Sequence, residues 1–334
     1  MEVAREKRVR EISSSEMTSE AIPMKATVGI PAYNEEGSIG VLMGRLASEI
    51  GSNVVEIVVY DDGSTDGTGA EVLKEAEALK TRKVSFRLIQ SKERLGKAAV
   101  VWEIIRVAKG DVIVFIDADM RIFPNSVNNI LEPFLGNKKI GVVTANILPL
   151  KGKSDFFSLA SNFQWELIHQ LSFKLVSRKL APKVNGGFFA VRKGVVKHIS
   201  PNVVSDDEYI SWYAQHEGYE VRCAPAAQAA APDPTNLRDY ISKRRRVLGG
   251  HYLIRNILHY SVPTTRITIM VPEFGKLAIK HWKNMFYVFV MVFLESGCRL
   301  LAFHDAIRMK VSPRYRAVSS KFAFKNQKPK TASV

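Results

Sequence analysis

The chain has 334 residues, 46% of them hydrophobic and 24% charged, enough for a sizeable core and well outside the composition of a disordered protein. Lysine and arginine number 48 against 33 acidic residues, a formal charge of +15 that favours polyanionic partners: nucleic acid, acidic lipid surfaces or phosphorylated substrates. Two cysteines, Cys223 and Cys298, exclude a disulfide framework and fit a reducing, cytoplasmic setting. The seven histidines show no HxxxH or HExxH spacing, so no zinc site is expected.

In chain order, residues 1–24 are polar, lack an apolar signal region and read as a disordered arm. From about residue 25, strand-like and helix-like segments alternate. "ATVGIPA" reads as a strand ending at a proline. "NEEGSIGVLMGRLASEIG" repeats apolar residues at helical spacing (Ile39, Leu42, Met43, Leu46, Ile50). "VVEIVVY" is a second strand, "GAEVLKEAEALK" a helix and "VSFRLI" a third strand. "GKAAVVWEIIRVAKG" is a helix closed by Gly110, and "DVIVFI" is a fourth strand. "PNSVNNILEPF" opens with proline where a helix tolerates it, and "IGVVTANI" is a fifth strand. Short all-apolar strands alternating with helices predict an α/β fold with a mostly parallel sheet covered on both faces. After Leu150 the alternation stops. Residues 156–180 read as a long amphipathic helix and "NGGFFAVRK" as a glycine-led strand. "SDDEYISWYAQHEGYEVRCAP" reads as a helix capped by Ser205 and stopped by Gly218, then a short strand. The segment from Met285 to Phe303 is strongly apolar. Its nineteen residues suffice to cross a bilayer, but Glu295 and Arg299 lie inside it, four apart, which also suits a helix in the membrane interface or one buried in a soluble fold. Basic residues flank it on both sides: Lys276, Lys280 and Lys283 before, Arg308, Lys310, Arg314 and Arg316 after.

In an open α/β sheet ligands bind beyond the carboxyl ends of the strands, and the polar clusters fall at those ends. "PAYNEE" follows the first strand, "DDGSTD" the second and "DADMR" the fourth. Thr65 and Asp66 suffice to make the turn and helix cap of "DDGSTD", which leaves the carboxylates of Asp61 and Asp62 for a base or ribose. If the fourth strand persists, Asp117 and Asp119 point to one side. Two such carboxylates repel each other unless a cation sits between them, and hard ions such as Mg²⁺ and Mn²⁺ take carboxylate oxygens together with phosphates. Asp206 and Asp207 open a helix, where carboxylates are favoured by the helix dipole and are also placed to act as general bases. Lys243, Arg244, Arg245 and Arg246 cannot share one helix face, so some of them turn inward, where arginine forks match phosphate oxygens. Lys97, at a helix start after Gly96, suits the same role.

This ordered set resembles glycosyltransferase family 2, whose members have the GT-A fold, over roughly residues 25–250. "IPAYNEE" and "VVYDDGSTDGT" resemble its nucleotide-binding segments, "DAD" its metal-binding D-x-D, "NGGFFAVRK" its acceptor-side segment, "SDDEY" its catalytic acidic pair and "KRRRV" its Q-R-x-R-W box. The resemblance implies that Pro31, Tyr33 and Glu35 line the nucleoside pocket with Asp62 on the base, and that Asp117 lies at the ribose. Asp119 would ligate Mg²⁺ or Mn²⁺, with Lys97, Arg244 and Arg246 toward the diphosphate. Asn185, Gly186 and Gly187 would face the acceptor, with Asp207, paired with Asp206, as the base of an inverting displacement. Two departures, Lys243 for Gln and Val247 for Trp, speak for transfer of one or a few sugars to a lipid-linked or membrane-proximal glycan rather than polymer synthesis. The expected organisation is a transferase domain at 25–250, a helical membrane-associating extension at 251–320 and a basic tail at 321–334. The expected partners are a nucleoside-diphosphate sugar, the acceptor glycan and the cytoplasmic membrane surface, with no specific nucleic acid. The rival class is a catalytically degenerate relative that only binds membranes or nucleic acid.

Overall fold

The computed structural model describes residues 24–308 apart from 78, 80–83, 150–155, 201–202, 233, 235 and 263–266; most of the N-terminal arm and the basic tail lie outside the described residues. Eight strands make one sheet: β1 (Ala26–Ala32), β2 (Val54–Asp61), β3 (Ser85–Gln90), β4 (Val112–Ile116), β5 (Arg121–Ile122), β6 (Ile140–Pro149), β7 (Phe188–Arg192) and β8 (Glu220–Ala231). Their order is β3-β2-β1-β4-β7-β6-β8-β5. The N-terminal half, β3-β2-β1-β4, is parallel throughout. β7 then enters antiparallel between β4 and β6, β8 lies parallel to β6, and β5 closes the edge antiparallel to β8. The sheet is therefore mixed, its parallel pairs concentrated where strands and helices alternate in sequence.

The helices are α1 (Ile39–Glu49), α2 (Thr68–Ala76), α3 (Lys97–Val107), α4 (Ser126–Leu131), α5 (Phe156–Ser177), α6 (Asp206–His216), α7 (Leu237–Leu258), α8 (Ile267–Lys280) and α9 (Met285–Ile307). The all-apolar strands serve two cores at once. On one face Val28, Ile30, Val114 and Ile116 pack with Ile39 and Leu42 of α1, Val72 of α2 and Ile130 of α4. On the other, Val58, Ile113 and Phe115 pack with Val101 and Ile104 of α3 and Ile210 of α6. Adjacent residues of a strand point to opposite faces, so a strand covered on both sides is apolar without interruption.

A third apolar cluster holds the C-terminal helices together: Phe163 of α5, Tyr240 and Leu248 of α7, Leu277 of α8, and Val288, Met291 and Cys298 of α9. Helix α7 runs unbroken across residue 250, so the expected transferase unit and its extension share a helix. β4 stops at Ile116, where "DVIVFI" ends, so the strand does not persist to the acids. Two local expectations are corrected. Ser205 occupies the N-cap position of α6 but makes no side-chain cap bond. The strand after Gly218 is not short: it runs twelve residues, from Glu220 to Ala231, sustained by pairing with β6.

Candidate active site

Beyond the ends of β1 and β2 the two motif loops are stitched to each other. Asn34 sits at φ +53° and its side-chain oxygen accepts from the Thr65 amide at 2.9 Å, while the Asn34 amide donates to Ser64 at 2.9 Å. The Glu35 amide donates to Thr68 Oγ1 at 2.8 Å. Asp61 and Asp62, which the turn chemistry leaves without a structural purpose, both have one. Asp61 accepts from the Ser64 amide at 3.0 Å and from Gln90 at 3.1 Å. Asp62, only 4% exposed, accepts from the amides of Leu95 (2.6 Å) and Gly96 (2.9 Å). Burial pushes its pKa up, against those two amides and the Arg94 guanidinium. Gly96 lies at φ +98°, a conformation glycine adopts without strain, and Lys97 follows as the first residue of α3. Arg94 lies 3.8 Å from the centre of the Tyr33 ring.

Lys97 leads from that turn into the acids. Its ammonium lies 2.8 Å from Asp117 Oδ2 and 2.7 Å from Oδ1, donates to the Gly186 carbonyl at 3.0 Å and is 4.0 Å from Asp206. After β4 a tight turn, closed by the Met120 amide on the Asp117 carbonyl at 2.9 Å, buries Ala118 and leaves Asp117 and Asp119 half-buried on its two sides. The turn, rather than a continuing strand, presents both to one cavity.

That cavity has a volume of about 570 Å³, and most of the residues singled out from sequence line it: Lys97, Asp117, Asp119, Asn185, Gly186, Gly187, Asp206, Asp207, Arg244 and Arg246. Pro31, Tyr33, Glu35 and Asp62 do not line it; they form the neighbouring loop cluster at the ends of β1 and β2, joined to the cavity through Gly96 and Lys97.

The "NGG" segment is what draws the two acidic groups together. The Asn185 amide and side chain bond to Thr144 Oγ1 (2.9 Å) and the Ala145 carbonyl (3.0 Å) of β6. The Gly186 amide donates to Asp207 Oδ2 at 3.0 Å, and the Gly187 carbonyl accepts from the Asp117 amide at 2.9 Å. A Cβ on Gly186 would stand 3.0 Å from Asp207 Oδ2, so only glycine allows this approach without displacing the carboxylate.

Neighbouring carboxylates are driven apart in pKa. Asp206 is raised to about 6 by burial and by Asp207, against Lys97. Burial also opposes ionisation of Asp207, but Lys183 and Lys97 outweigh it and hold this carboxyl below its usual value. Glu208, fully buried, is pushed up to about 7 by burial, against Lys183. Burial and the nearby Lys183 hold His251 neutral, with its pKa down at about 3. Asp117 is raised by burial and by Asp119, against Lys97 and Arg246.

Lys183 escaped the sequence reading. It lies 3.7 Å from Asp207 and 3.5 Å from Glu208 with its side chain 11% exposed. The one signal was a lysine two residues ahead of "NGG". The arginine run divides its work. Arg244 grips Glu295 of α9 with both arms of its fork (2.8 and 2.5 Å), and Arg245 grips Asp305 (2.9 and 2.7 Å). Arg244, expected toward a diphosphate, is thus committed to α9, while Arg246 lies near enough to Asp117 to lower its pKa.

Among the described residues no group of three or more His, Cys, Asp or Glu side chains is placed to cage a metal alone. Mg²⁺ and Mn²⁺ ask less: they keep waters and substrate phosphates in their shell and need one or two carboxylates from the protein. Asp119 is a half-buried carboxylate lining the cavity that could supply one, while Asp117 has both oxygens against the Lys97 ammonium.

A half-parallel α/β sheet with acids gathered past its strand ends is the architecture of a GT-A glycosyltransferase. The family model described as Glycosyl transferase family 2 matches residues 27–200, just over half of the chain, and the chain belongs to that family. It is 24% identical over 234 residues to a poly-beta-1,6-N-acetyl-D-glucosamine synthase of Staphylococcus epidermidis, covering 68% of this chain and 55% of that one. It is 23% identical over 260 residues to the synthase of the same name from Staphylococcus aureus (strain MSSA476), covering 76% and 61%. The chain thus spans less than two thirds of the length of these curated relatives. Among solved structures its fold is similar to a mannosyltransferase, PcManGT from Pyrobaculum calidifontis, in complex with GDP-Man and Mn²⁺. That match has a TM-score of 0.61 and 18% identity, over 90% of this chain and 93% of that one.

Proposed function

We propose that this glycosyltransferase moves a sugar from a nucleoside-diphosphate sugar to a hydroxyl of a lipid-linked or other membrane-proximal glycan, with inversion and in a Mg²⁺- or Mn²⁺-dependent manner. One observation carries the reading: acids from two distant segments, Asp117 and Asp119 after β4 and Asp206 and Asp207 at the start of α6, share a single cavity with Lys97, Lys183 and Arg246. Pro31, Tyr33 and Glu35 belong to the nucleoside end, with Asp62 acting through the 94–96 turn that it holds. Lys97, Asp117 and Arg246 belong to the ribose and diphosphate, with Arg244 supporting from α7. Asp119 would hold a divalent ion, which would supply positive charge against the departing diphosphate. Asp207, kept ionised by Lys183, takes the proton of the acceptor hydroxyl, and Asp206 stands beside it, its pKa raised to about 6 and its carboxyl 4.0 Å from the Lys97 ammonium. Attack from the side opposite the leaving group inverts the anomeric centre. Asn185, Gly186 and Gly187 border the acceptor side. Val247, which lines the cavity where the polymer-forming relatives of this family carry tryptophan, favours addition of one or a few sugars.

Membrane association is part of the same reading. The stretch Trp282–Ile307 is long and apolar enough to cross a bilayer, an 18-residue window within it reaching a mean hydropathy of 1.7. It is also fastened to α7 at two points, Arg244–Glu295 and Arg245–Asp305, while Phe286, Phe289, Phe293, Leu300 and Ile307 form an outward stripe at helical spacing, each more than 60% exposed. A helix tied to a folded domain on one face and bare hydrocarbon on the other suits the interface plane of a cytoplasmic leaflet, with Lys280, Lys283 and Arg308 toward anionic headgroups.

Thermal stabilisation by UDP-, GDP- and TDP-sugars, with and without Mn²⁺, tests the proposal. A donor at a hundred times its Kd adds about 2.7 kcal/mol to the native state. The expected result is stabilisation by one nucleotide class that needs the metal, together with nucleoside diphosphate release that Asp119→Ala abolishes. Equal release by the wild type and Asp119→Ala would favour the degenerate binding module.

A further inference from the structure

The cavity has two unlike walls. One carries the acids and their lysines. The other is hydrocarbon: Ile168 and Leu171 of α5, Met270, Val271 and Phe274 of α8, and Met291 of α9. A sugar nucleotide accounts for the first wall and not for the second, since a polar, multiply charged molecule gains nothing from apolar surface. The hydrocarbon wall also continues to the outside. Val271 and Val292 both line the cavity and are 56% and 40% exposed, and Phe289 and Phe293 of α9 flank Val292 on the surface. Apolar side chains of α8 and α9 thus line the cavity and also reach the surface, at Val271 and Val292. Lys243, Glu295 and Arg299 line the same cavity.

We propose that this second wall is the seat of the acceptor's own hydrocarbon. The acceptor is a single-chain amphiphile whose polar head reaches Asp207 while its chain lies along α5, α8 and α9 and leaves the protein among the exposed apolar residues of α9. The inference rests on the transferase reading and deepens it: the acceptor is recognised by its chain as well as by its hydroxyl. A cavity of this size, largely apolar with a few convergent polar groups, is of the kind that takes a small amphiphile. The head is a phosphate or a sugar, and the two sources are separated by the test.

The test is calorimetric titration of the full chain with two probe series, n-alkyl phosphates and n-alkyl β-glucosides, each below its micelle-forming concentration. The expected Kd falls about fourfold for each methylene taken out of water, with the same slope in both series. Tighter binding of one series throughout identifies the head. Ile168→Asp and Val271→Asp flatten the slope by placing a carboxylate on the wall; Val271 is mainly exposed, so its substitution is compatible with folding. Phe293→Asp, 79% exposed and outside the cavity lining, leaves the slope intact for chains short enough to end inside the cavity. A series without chain-length dependence overturns the proposal. So does a slope that survives Ile168→Asp and Val271→Asp but disappears in Phe293→Asp, which would place the chain on the outer stripe. Binding of these probes needs no turnover, so a negative result removes the seat, whereas the transferase reading stands or falls on metal-dependent release of nucleoside diphosphate.

Discussion

Lys183→Met is the sharpest probe of how the site sets its base. The ammonium is the cation shared by Asp207 and Glu208, at 3.7 and 3.5 Å, and all three side chains are largely or wholly buried. At such separations and an effective dielectric constant of about 20, each pair is worth about 4 kcal/mol, or roughly three pH units for a carboxylate. Removing the charge leaves Asp207 with Lys97 and the amides of Gly186 and Glu208. Its pKa should rise, from below the usual aspartate value to above it, because burial then outweighs the remaining partners. Glu208, already at about 7, should go higher and stay protonated. The acidic limb of the pH profile for nucleoside diphosphate release then moves up: the variant approaches wild type at the alkaline end of the profile and falls well below it at the acidic end. Lys183→Arg restores the wild-type limb because the positive charge returns. Stability follows in step. Both carboxyls now have folded pKa values above their unfolded ones, so the native state binds more protons and loses stability as pH rises through that window. A folded Lys183→Met protein whose acidic limb does not move, or whose rate drops equally at all pH values, would refute Lys183 as the group that keeps Asp207 ionised.

Three further outcomes follow from the same geometry. Gly186→Ala pushes a methyl against Asp207 Oδ2 and should lower turnover at least tenfold with little change in melting temperature, whereas Gly187→Ala meets only the flexible end of Met120 and should be milder in turnover. Glu208→Gln removes a carboxyl whose folded pKa, about 7, exceeds its unfolded value near 4.5, so wild type loses stability as pH rises between the two. The variant should therefore be more stable than wild type at pH 8, by at most about 3 kcal/mol, with the advantage gone by pH 4.5, as followed by urea melts at each pH. Arg244→Met should cost about 1–3 kcal/mol in urea, less than a fully orphaned charge because Arg299 remains 3.3 Å from Glu295, and pairing it with Glu295→Leu should recover most of the loss.

The parallel half of the sheet was legible because its strands leave no other option. Val112, Val114 and Ile116 feed one core and Ile113 and Phe115 the other, so the sequence is apolar at every position and bounded by glycine and charge. β8 was not legible at its full length. "CAPAAQAAA" has almost no branched side chains, and it is a strand because β6 pairs with it through a register shift between Ala145 and Asn146, a fact about a segment some eighty residues away. The two-residue β5 depends wholly on β8 in the same way. Acids at strand ends were visible because charge next to hydrocarbon needs a reason. Of the cations that answer them, Lys97 and Arg246 stood out in the sequence and Lys183 did not. A single lysine in "APKVNGG" has the appearance of a solvated one, and its burial is decided by two carboxylates more than twenty residues further on. Asp62 misled for the opposite reason: its pattern suits a ligand contact, but its oxygens meet the amides of a turn thirty-three residues later, and its influence on the cavity runs through the placement of Lys97.

The arginine run and the apolar helix looked like separate features in the sequence, one for phosphates and one for a membrane, with Glu295 and Arg299 as a self-contained pair. The structure joins them. Glu295 lies between Arg244 and Arg299, so the charge in mid-helix is a tie to α7 as well as a local pair, and Arg245–Asp305 makes a second tie nearly three turns further on. A helix crossing a bilayer alone would carry these carboxylates as a cost. Here they face the protein and leave the opposite face to Phe286, Phe289 and Phe293. The same arrangement sets Met291 and Val292 of α9 into the cavity wall beside residues of α7 that line it. On the proposed membrane association, a force that seats α9 on a membrane would be applied to the wall of the cavity holding Asp207, and membrane docking and acceptor entry would be properties of one helix.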